Sequence, residues 1–332
     1  MSNPMVSIVM ATYNGEKFLR EQIESILSQL YYPFEFIVFD DCSTDGSPGI
    51  LEEYQVQGKL RVFRNESNLG YVKNFERAIQ AAKGELIALA DQDDVWDPSK
   101  LHRLTQQIGQ HLLIHSDARL IDENGFEIAS SFEESASKMT IPHNMTEAIL
   151  NGFVTGCTCL FKRQLLDLAL PFPEKLYIHD KWLGVLAFSN GGLTYLKEPL
   201  IDYRQHIQNN IGAVQPTVSL FGKIGKLLRG NQGAYQFAAF RAFLEKEKKF
   251  TELVQERLKL ESKEISMLIE FFDQVLSGKS LIRVILYFTK NIGVFEKGKP
   301  LSQKVYFLYL IVLSYFYSKR LVKVTTKIAS HQ

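Results

Sequence analysis

The sequence predicts an α/β fold built around a mostly parallel sheet, and three observations lead there. Short continuous apolar runs, as in strands covered on both faces, recur through the first hundred residues. Between them lie segments whose apolar residues return at helical spacing. The apolar runs lead into polar clusters rich in Asp, Asn and Gly, at the carboxyl ends of successive strands where open α/β sheets bind ligands.

Val6–Ala11 is the first run, and the turn cluster Thr12-Tyr13-Asn14-Gly15 ends it. Glu16–Gln29 follows as a helix with a stripe of Phe18, Ile23, Ile26 and Leu27. Phe34–Phe39 is the second strand, and residues 40–46 (Asp-Asp-Cys-Ser-Thr-Asp-Gly) form its loop. Ser47–Tyr54 reads as a helix and Lys59–Phe63 as a third strand. The loop Asn65–Gly70 precedes a helix over Tyr71–Lys83 with Val72, Phe75, Ala78 and Ile79 inward. Leu86–Ala90 is the fourth strand. This repeated alternation is the signature of parallel strands joined by helices.

After residue 100 the pattern loosens. Leu112–His115 reads as a strand, and Asp122-Glu-Asn-Gly125 as the turn of a hairpin between Arg119–Ile121 and Phe126–Ala129. A strand is expected over Phe153–Phe161, a helix over His179–Asn190 and a short strand at Leu193–Leu196. Tyr203–Gly212 is polar and aromatic with no clear period. From about Thr217 the character changes, with a long helical stretch at Tyr235–Leu276. Two aromatic and aliphatic segments follow, Leu281–Phe288 and Val305–Phe316, flanked by lysines.

The 332 residues, 45 % hydrophobic and 23 % charged, are those of a globular chain with one large or two smaller domains. The net charge of +1 hides an asymmetry. Residues 1–215 carry 18 Lys/Arg against 28 Asp/Glu, a net of −10, and residues 216–332 carry 20 against 9, a net of +11. We therefore expect a catalytic domain over 1–215 and a basic, mainly helical region over 216–332. The three cysteines, Cys42, Cys157 and Cys159, form no disulfide framework and read as reduced thiols of a cytosolic protein. Met1–Pro4 has neither the charge nor the apolar core of a signal peptide. Val305–Tyr317 is interrupted by Ser314 and is shorter than the ~20 residues of a spanning helix.

The chemistry concentrates where the fourth strand ends. Asp91, Asp93, Asp94 and Asp97 put four carboxylates within seven residues. Hard oxygens at the end of a rigid strand suit Mg²⁺ or Mn²⁺, which would relieve their mutual repulsion. The alternative is an acidic turn capping the helix after Pro98. No Gly-x-Gly-x-x-Gly follows the first strand, Pro300 spoils the phosphate-loop spacing of Gly293–Lys299, and no nucleophile elbow occurs.

Several motifs together carry a resemblance. They are Ala-Thr-Tyr-Asn-Gly (11–15), Asp-Asp-Cys-Ser-Thr-Asp-Gly (40–46), Asn-Leu-Gly (68–70) and Ala-Asp-Gln-Asp-Asp-Val-Trp (90–96). Gly-Cys (156–157), His-Asp-Lys-Trp-Leu (179–183) and Tyr-Arg-Gln-His (203–206) complete the set. In this order and spacing the chain resembles family 2 glycosyltransferases of the GT-A fold over roughly residues 5–212, nearest in appearance to bacterial rhamnosyltransferases of surface polysaccharide synthesis. The resemblance implies a Rossmann-like mixed sheet flanked by helices. It also implies an inverting transfer of a sugar from a nucleoside diphosphate, dTDP-rhamnose or a UDP-hexose, to a growing glycan or a lipid-linked acceptor.

Site roles follow from the same resemblance. Thr12, Tyr13 and Glu16 would border the base pocket. Asp41 would accept the imide N–H of uracil or thymine, and Lys73 would reach the diphosphate. Asp93 would bind Mg²⁺ or Mn²⁺, with Asp91 on the sugar or ribose and His206 as a further metal ligand or diphosphate contact. Asp180 would be the catalytic base. Many relatives carry Glu-Asp or Asp-Asp where this chain has His179-Asp180, and His179 has no assigned role. Trp96 and Trp182 read as core or as sugar platforms. The alternatives are a non-catalytic nucleotide-sugar or glycan-binding scaffold and a sugar-nucleotide pyrophosphorylase.

The basic tail lies beyond the resemblance. Its lysines beside aliphatic runs suggest a helix on an anionic membrane surface, at the inner face of the plasma membrane. An ordinary helical domain or a homo-oligomer interface is the other reading. No nucleic-acid-binding module is present, and no nucleic acid partner is expected.

Overall fold

The computed structural model describes residues 3–136, 141–150, 152–206 and 232–277, together with 286 and 290. The chain divides into two compact units, Met1–Pro142 with Gly152–Val214, and His143–Asn151 with Gln215–Gln332.

The first unit opens with β1 (Val6–Thr12), α1 (Glu16–Leu27), β2 (Phe34–Asp40), α2 (Ser47–Val56), β3 (Arg61–Arg64), α3 (Tyr71–Ala81) and β4 (Leu86–Ala90). It continues with β5 (Val95–Trp96), α4 (Lys100–Gln107), β6 (Leu113–Ile121), β7 (Glu127–Ala129) and α5 (Phe132–Ala136). After α6 (Met145–Leu150), which belongs to the second unit, come β8 (Cys159–Lys162), α7 (Leu166–Ala169), α8 (His179–Asn190) and β9 (Leu193–Arg204). In the second unit α6 packs with α9 (Gln232–Leu258) and α10 (Lys263–Ser277). Lys259, with φ 49°, ends α9. Among the described residues no helix is long and apolar enough to cross a membrane.

The strands form one sheet in the order β3-β2-β1-β4-β8-β6-β9-β5, with β7 paired to β6. Strands β1 to β4 are mutually parallel, and Val6, Ile8, Val9 and Met10 are fully buried between flanking layers. Register then places the chemistry. Thr12 is level with Asp40, and Met10 with Ala90, so the chain leaves β1, β2 and β4 at one edge.

Beyond β4 the sheet is mixed, as the resemblance implies. Strand β8 runs antiparallel to both β4 and β6, while β9 is parallel to β6. Phe153–Phe161 is not one strand: Gly156–Thr158 is a 3₁₀ turn, and only Cys159–Lys162 joins the sheet. Strand β9 runs on to Arg204, where Lys197-Glu198-Pro199 had hidden its continuation; its register with β6 slips around Asp117, a bulge that admits the proline. Two-residue β5 carries no sequence pattern, yet it pairs Val95 with Asp202 and Trp96 with Ile201. That pairing stitches the acidic loop to the end of β9. The expected segments 281–288 and 305–316 lie outside the described residues, except for residue 286.

Candidate active site

Helix α1 does more than cover the sheet. Gln22 and Ser25 on its flank, with Gln29 just past its end, grip the acidic loop. Gln22 Nε2 donates to the Asp91 carbonyl at 2.8 Å, the Trp96 N–H to Ser25 Oγ at 3.0 Å, and Gln29 Nε2 to the Asp97 carbonyl at 2.7 Å. Gln29 Oε1 accepts the Leu101 N–H at 3.0 Å. Across the sheet edge, Gln92 Oε1 accepts from the Thr12 hydroxyl at 2.6 Å and the Tyr13 N–H at 2.8 Å, tying the ends of β1 and β4 together. With both its amide and carbonyl in use, buried Gln29 has no apolar substitute that would satisfy the same backbone groups.

The four carboxylates divide. Asp93 Oδ2 meets His206 Nε2 at 2.8 Å, joining the two residues expected to hold a metal. Asp91 has its pKa pushed up to about 7 by burial and then by the charges of Asp93 and Asp180. Asp94 turns inward, where its carboxylate accepts the Arg204 N–H at 3.2 Å and burial pushes its pKa well up. The carboxylates of Asp91 and Asp94 and the Cys157 sulfur lie within 4.8 Å of one another. Burial also pushes the Cys157 thiol up, so it stays neutral, a poor partner for a hard cation. Asp97 Oδ1 accepts the Ser99 N–H at 2.8 Å and shapes the turn into α4. Beneath the loop, fully buried Lys100 donates to the Cys157 carbonyl and lies 3.3 Å from the centre of the Trp96 ring, and burial lowers its pKa to about 8.

The opposite wall comes from the start of α8. Asp180 Oδ2 accepts the Gly156 N–H at 3.1 Å, and a Cβ at Gly156 would lie 3.5 Å from both the Asp180 Cβ and His179 Nε2. A Cβ there would make only ordinary van der Waals contact, so the link to Asp180 is carried by the Gly156 N–H. His179 stacks on Phe75 with ring centroids 4.2 Å apart, and neither ring nitrogen has a hydrogen-bond partner among the described residues. Burial lowers its pKa, leaving a neutral packing histidine. Trp182 is fully buried and donates to the Ala169 carbonyl at 3.1 Å, and Trp96 is buried as well, so both are core rather than sugar platforms.

A cleft of about 830 Å³ lies between these walls, within the range of ligand sites. Of the nine residues expected at the site, Thr12, Tyr13, Asp41, Asp91, Asp93, Asp180 and His206 line it. Glu16 and Lys73 do not. The Glu16 carboxylate accepts the Gly46 N–H at 2.6 Å and braces the loop after β2, and exposed Lys73 pairs with Glu76. Asp41 is buried, with Oδ1 accepting from Asn65 Nδ2 at 2.7 Å and the Leu69 N–H at 2.8 Å. Its Oδ2 accepts the Gly70 N–H at 2.9 Å, at a φ of 82° that suits glycine. Asp41 thus organises the Asn-Leu-Gly loop and keeps one lone pair of Oδ2 unused by these bonds.

The sequence profile of "Glycosyl transferase family 2" matches residues 7–168. An uncharacterized glycosyltransferase, MJ1057, of Methanocaldococcus jannaschii is 40 % identical over 213 residues, covering 61 % of this chain and 72 % of the relative. Bacillus subtilis EpsH, a putative glycosyltransferase by its description, is 29 % identical over 267 residues, with 77 % and 74 % coverage. Among solved structures, Staphylococcus aureus TarS 1–349 in complex with UDP-GlcNAc superposes with a TM-score of 0.57 at 20 % identity, over 96 % of this chain and 92 % of that one. The mannosyltransferase PcManGT of Pyrobaculum calidifontis, in complex with GDP-Man and Mn²⁺, gives 0.52 at 14 % identity, over 96 % and 88 %. These two likenesses establish a shared fold.

Proposed function

The chain belongs to glycosyl transferase family 2, and from that premise we propose an inverting, metal-dependent glycosyltransferase that moves a sugar from a nucleoside diphosphate to a glycan or lipid-linked acceptor. One observation carries the reading: the Asp93–His206 pair and Asp180 line the same cleft, in reach of Asp91. The donor set fits Mg²⁺ or Mn²⁺, being carboxylate oxygens and an imidazole nitrogen beside a carboxyl whose pKa is raised by burial and then by its charged neighbours. When bound, such an ion supplies Lewis-acid stabilisation of the departing diphosphate.

The chain's own groups do the rest. Thr12 and Tyr13 border the base, and the unused lone pair of Asp41 suits the imide N–H of uracil or thymine. Asp91 holds the sugar or ribose. Asp180, fixed by the Gly156 N–H, takes the proton of the acceptor hydroxyl as that oxygen attacks the anomeric carbon. The bond from that carbon to the diphosphate oxygen breaks on the opposite face, which inverts the centre. A UDP-sugar or dTDP-rhamnose fits this base contact. Assembly of a surface polysaccharide is supported by relatives such as the putative teichuronic acid biosynthesis glycosyltransferase TuaG of Bacillus subtilis, 34 % identical over 101 residues. The basic region from 216 onward, net +11, suits an anionic membrane surface at the cytoplasmic face, where lipid-linked acceptors reside.

Incubation with a panel of sugar nucleotides and Mn²⁺, following nucleoside diphosphate release, tests the reading. Turnover with one donor and a saccharide acceptor supports it. Binding without turnover across donors and acceptors would favour the scaffold instead.

A further inference from the structure

Arg204 does not itself line the cleft, yet its side chain bonds to Asp93, which does. Its side chain is 2 % exposed and reaches three separate elements. Nε donates to the Asp93 carbonyl at 2.9 Å, and Nη2 to Glu21 Oε2 on α1 at 2.7 Å. Nη1 leans on the carbonyls of Asp122 and Glu123 in the β6–β7 turn, both at 3.4 Å. Its guanidinium carbon lies 4.7 Å from the centre of the Phe18 ring, and the His206 ring packs on that same Phe18 with centroids 5.1 Å apart. The backbone N–H of Arg204 also holds Asp94.

We infer that Arg204 is a positioning residue for the Asp93–His206 pair: it fixes the Asp93 carbonyl and shares with His206 one aromatic platform, so that both candidate ligands are set by a single rigid unit. This rests on the metal reading of that pair. The ion pair with Glu21 does not by itself explain the arrangement, because the Glu21 side chain is 57 % exposed and such pairs contribute little. Only a planar fork with several donors can bond two elements and stack on a ring at once, so lysine would keep the charge and lose the geometry.

The test is Mn²⁺ titration by electron paramagnetic resonance on the full chain, alongside UDP binding in EDTA and thermal unfolding. Arg204→Lys should weaken Mn²⁺ binding roughly 10- to 100-fold, as loss of an outer-shell partner does, while UDP affinity in EDTA stays within about twofold. If Arg204→Lys does not fold, Phe18→Leu withdraws the shared platform and should show the same split. Mn²⁺ affinity within about twofold of wild type in a folded variant overturns the role, and so does an equal loss of Mn²⁺ and UDP binding. A wild-type chain that binds no Mn²⁺ would instead remove the metal reading itself, and this role with it.

Discussion

The two walls of the cleft are built on different terms. The wall from β1, β2 and β4 is a set of aligned strand ends whose loops are pinned by side-chain hydrogen bonds from Gln22, Gln29, Gln92 and Asp41. The wall from residues 155–180 rests on a 3₁₀ turn and the first turn of α8. Asp180 there is held by backbone N–H groups, and the ring nitrogens of His179 bond to nothing described. The first is a rigid grip suited to the proposed donor, and the second presents the carboxylate proposed as the base, with lone pairs to spare. Donor binding and sugar transfer should therefore separate under mutation.

The sharpest break comes from Asp180→Asn. Transfer should fall by about 10²–10⁴-fold, the usual contribution of a general base, with donor affinity unchanged in equilibrium binding. Transfer that persists would put the base elsewhere. On the other wall, Gln22→Leu leaves the half-buried Asp91 carbonyl without its donor. Because that bond is only part-buried, it should cost about 1 kcal/mol in denaturant unfolding and weaken donor binding, while the Asp180 variant leaves both untouched.

A smaller effect concerns pH. Asp91 carries a pKa of about 7 in the folded chain against 3.8 as its reference, so the folded state binds more protons across that window. The associated stability is present below 3.8 and lost as pH rises through about 7. Mn²⁺, binding the ionised cluster, should raise the melting temperature more at pH 8 than at pH 5, and an equal shift at both would contradict the coupling. Smallest of all is His179→Phe. It keeps the stack on Phe75 and removes two unpartnered nitrogens, so stability should hold or rise by at most about 1 kcal/mol with transfer retained. A large loss of transfer would assign His179 a contact with substrate.

What could be read in advance tracks the same division. Strands β1, β2 and β4 announce themselves because buried parallel strands are continuous apolar runs, and their acidic and polar loops fall at one edge once the strands are parallel. The second half resists because its signals are short or broken. Strand β5 has two residues, β9 is interrupted by Lys197-Glu198-Pro199, and Gly156 matters for a contact with Asp180 that is remote in sequence. Lys100, Gln22 on α1 and Gln29 just past it are equally opaque. A lysine at a helix start and glutamines on a helix flank or just past it look solvated, and only the fold shows that each meets a backbone group. Glu16 and Lys73 erred the other way, being near the cleft in sequence and committed to neighbouring loops and helices in space.

The account turns on the division of labour between Asp93 and Asp180. Calorimetric titration of UDP, dTDP and GDP into wild type, Asp93→Ala and Asp180→Asn, each with and without Mn²⁺, measures it directly. Mn²⁺ should strengthen binding of one nucleotide in wild type and Asp180→Asn by about tenfold or more and leave Asp93→Ala unmoved. Full Mn²⁺-dependent binding by Asp93→Ala, or its loss in Asp180→Asn, would contradict the account.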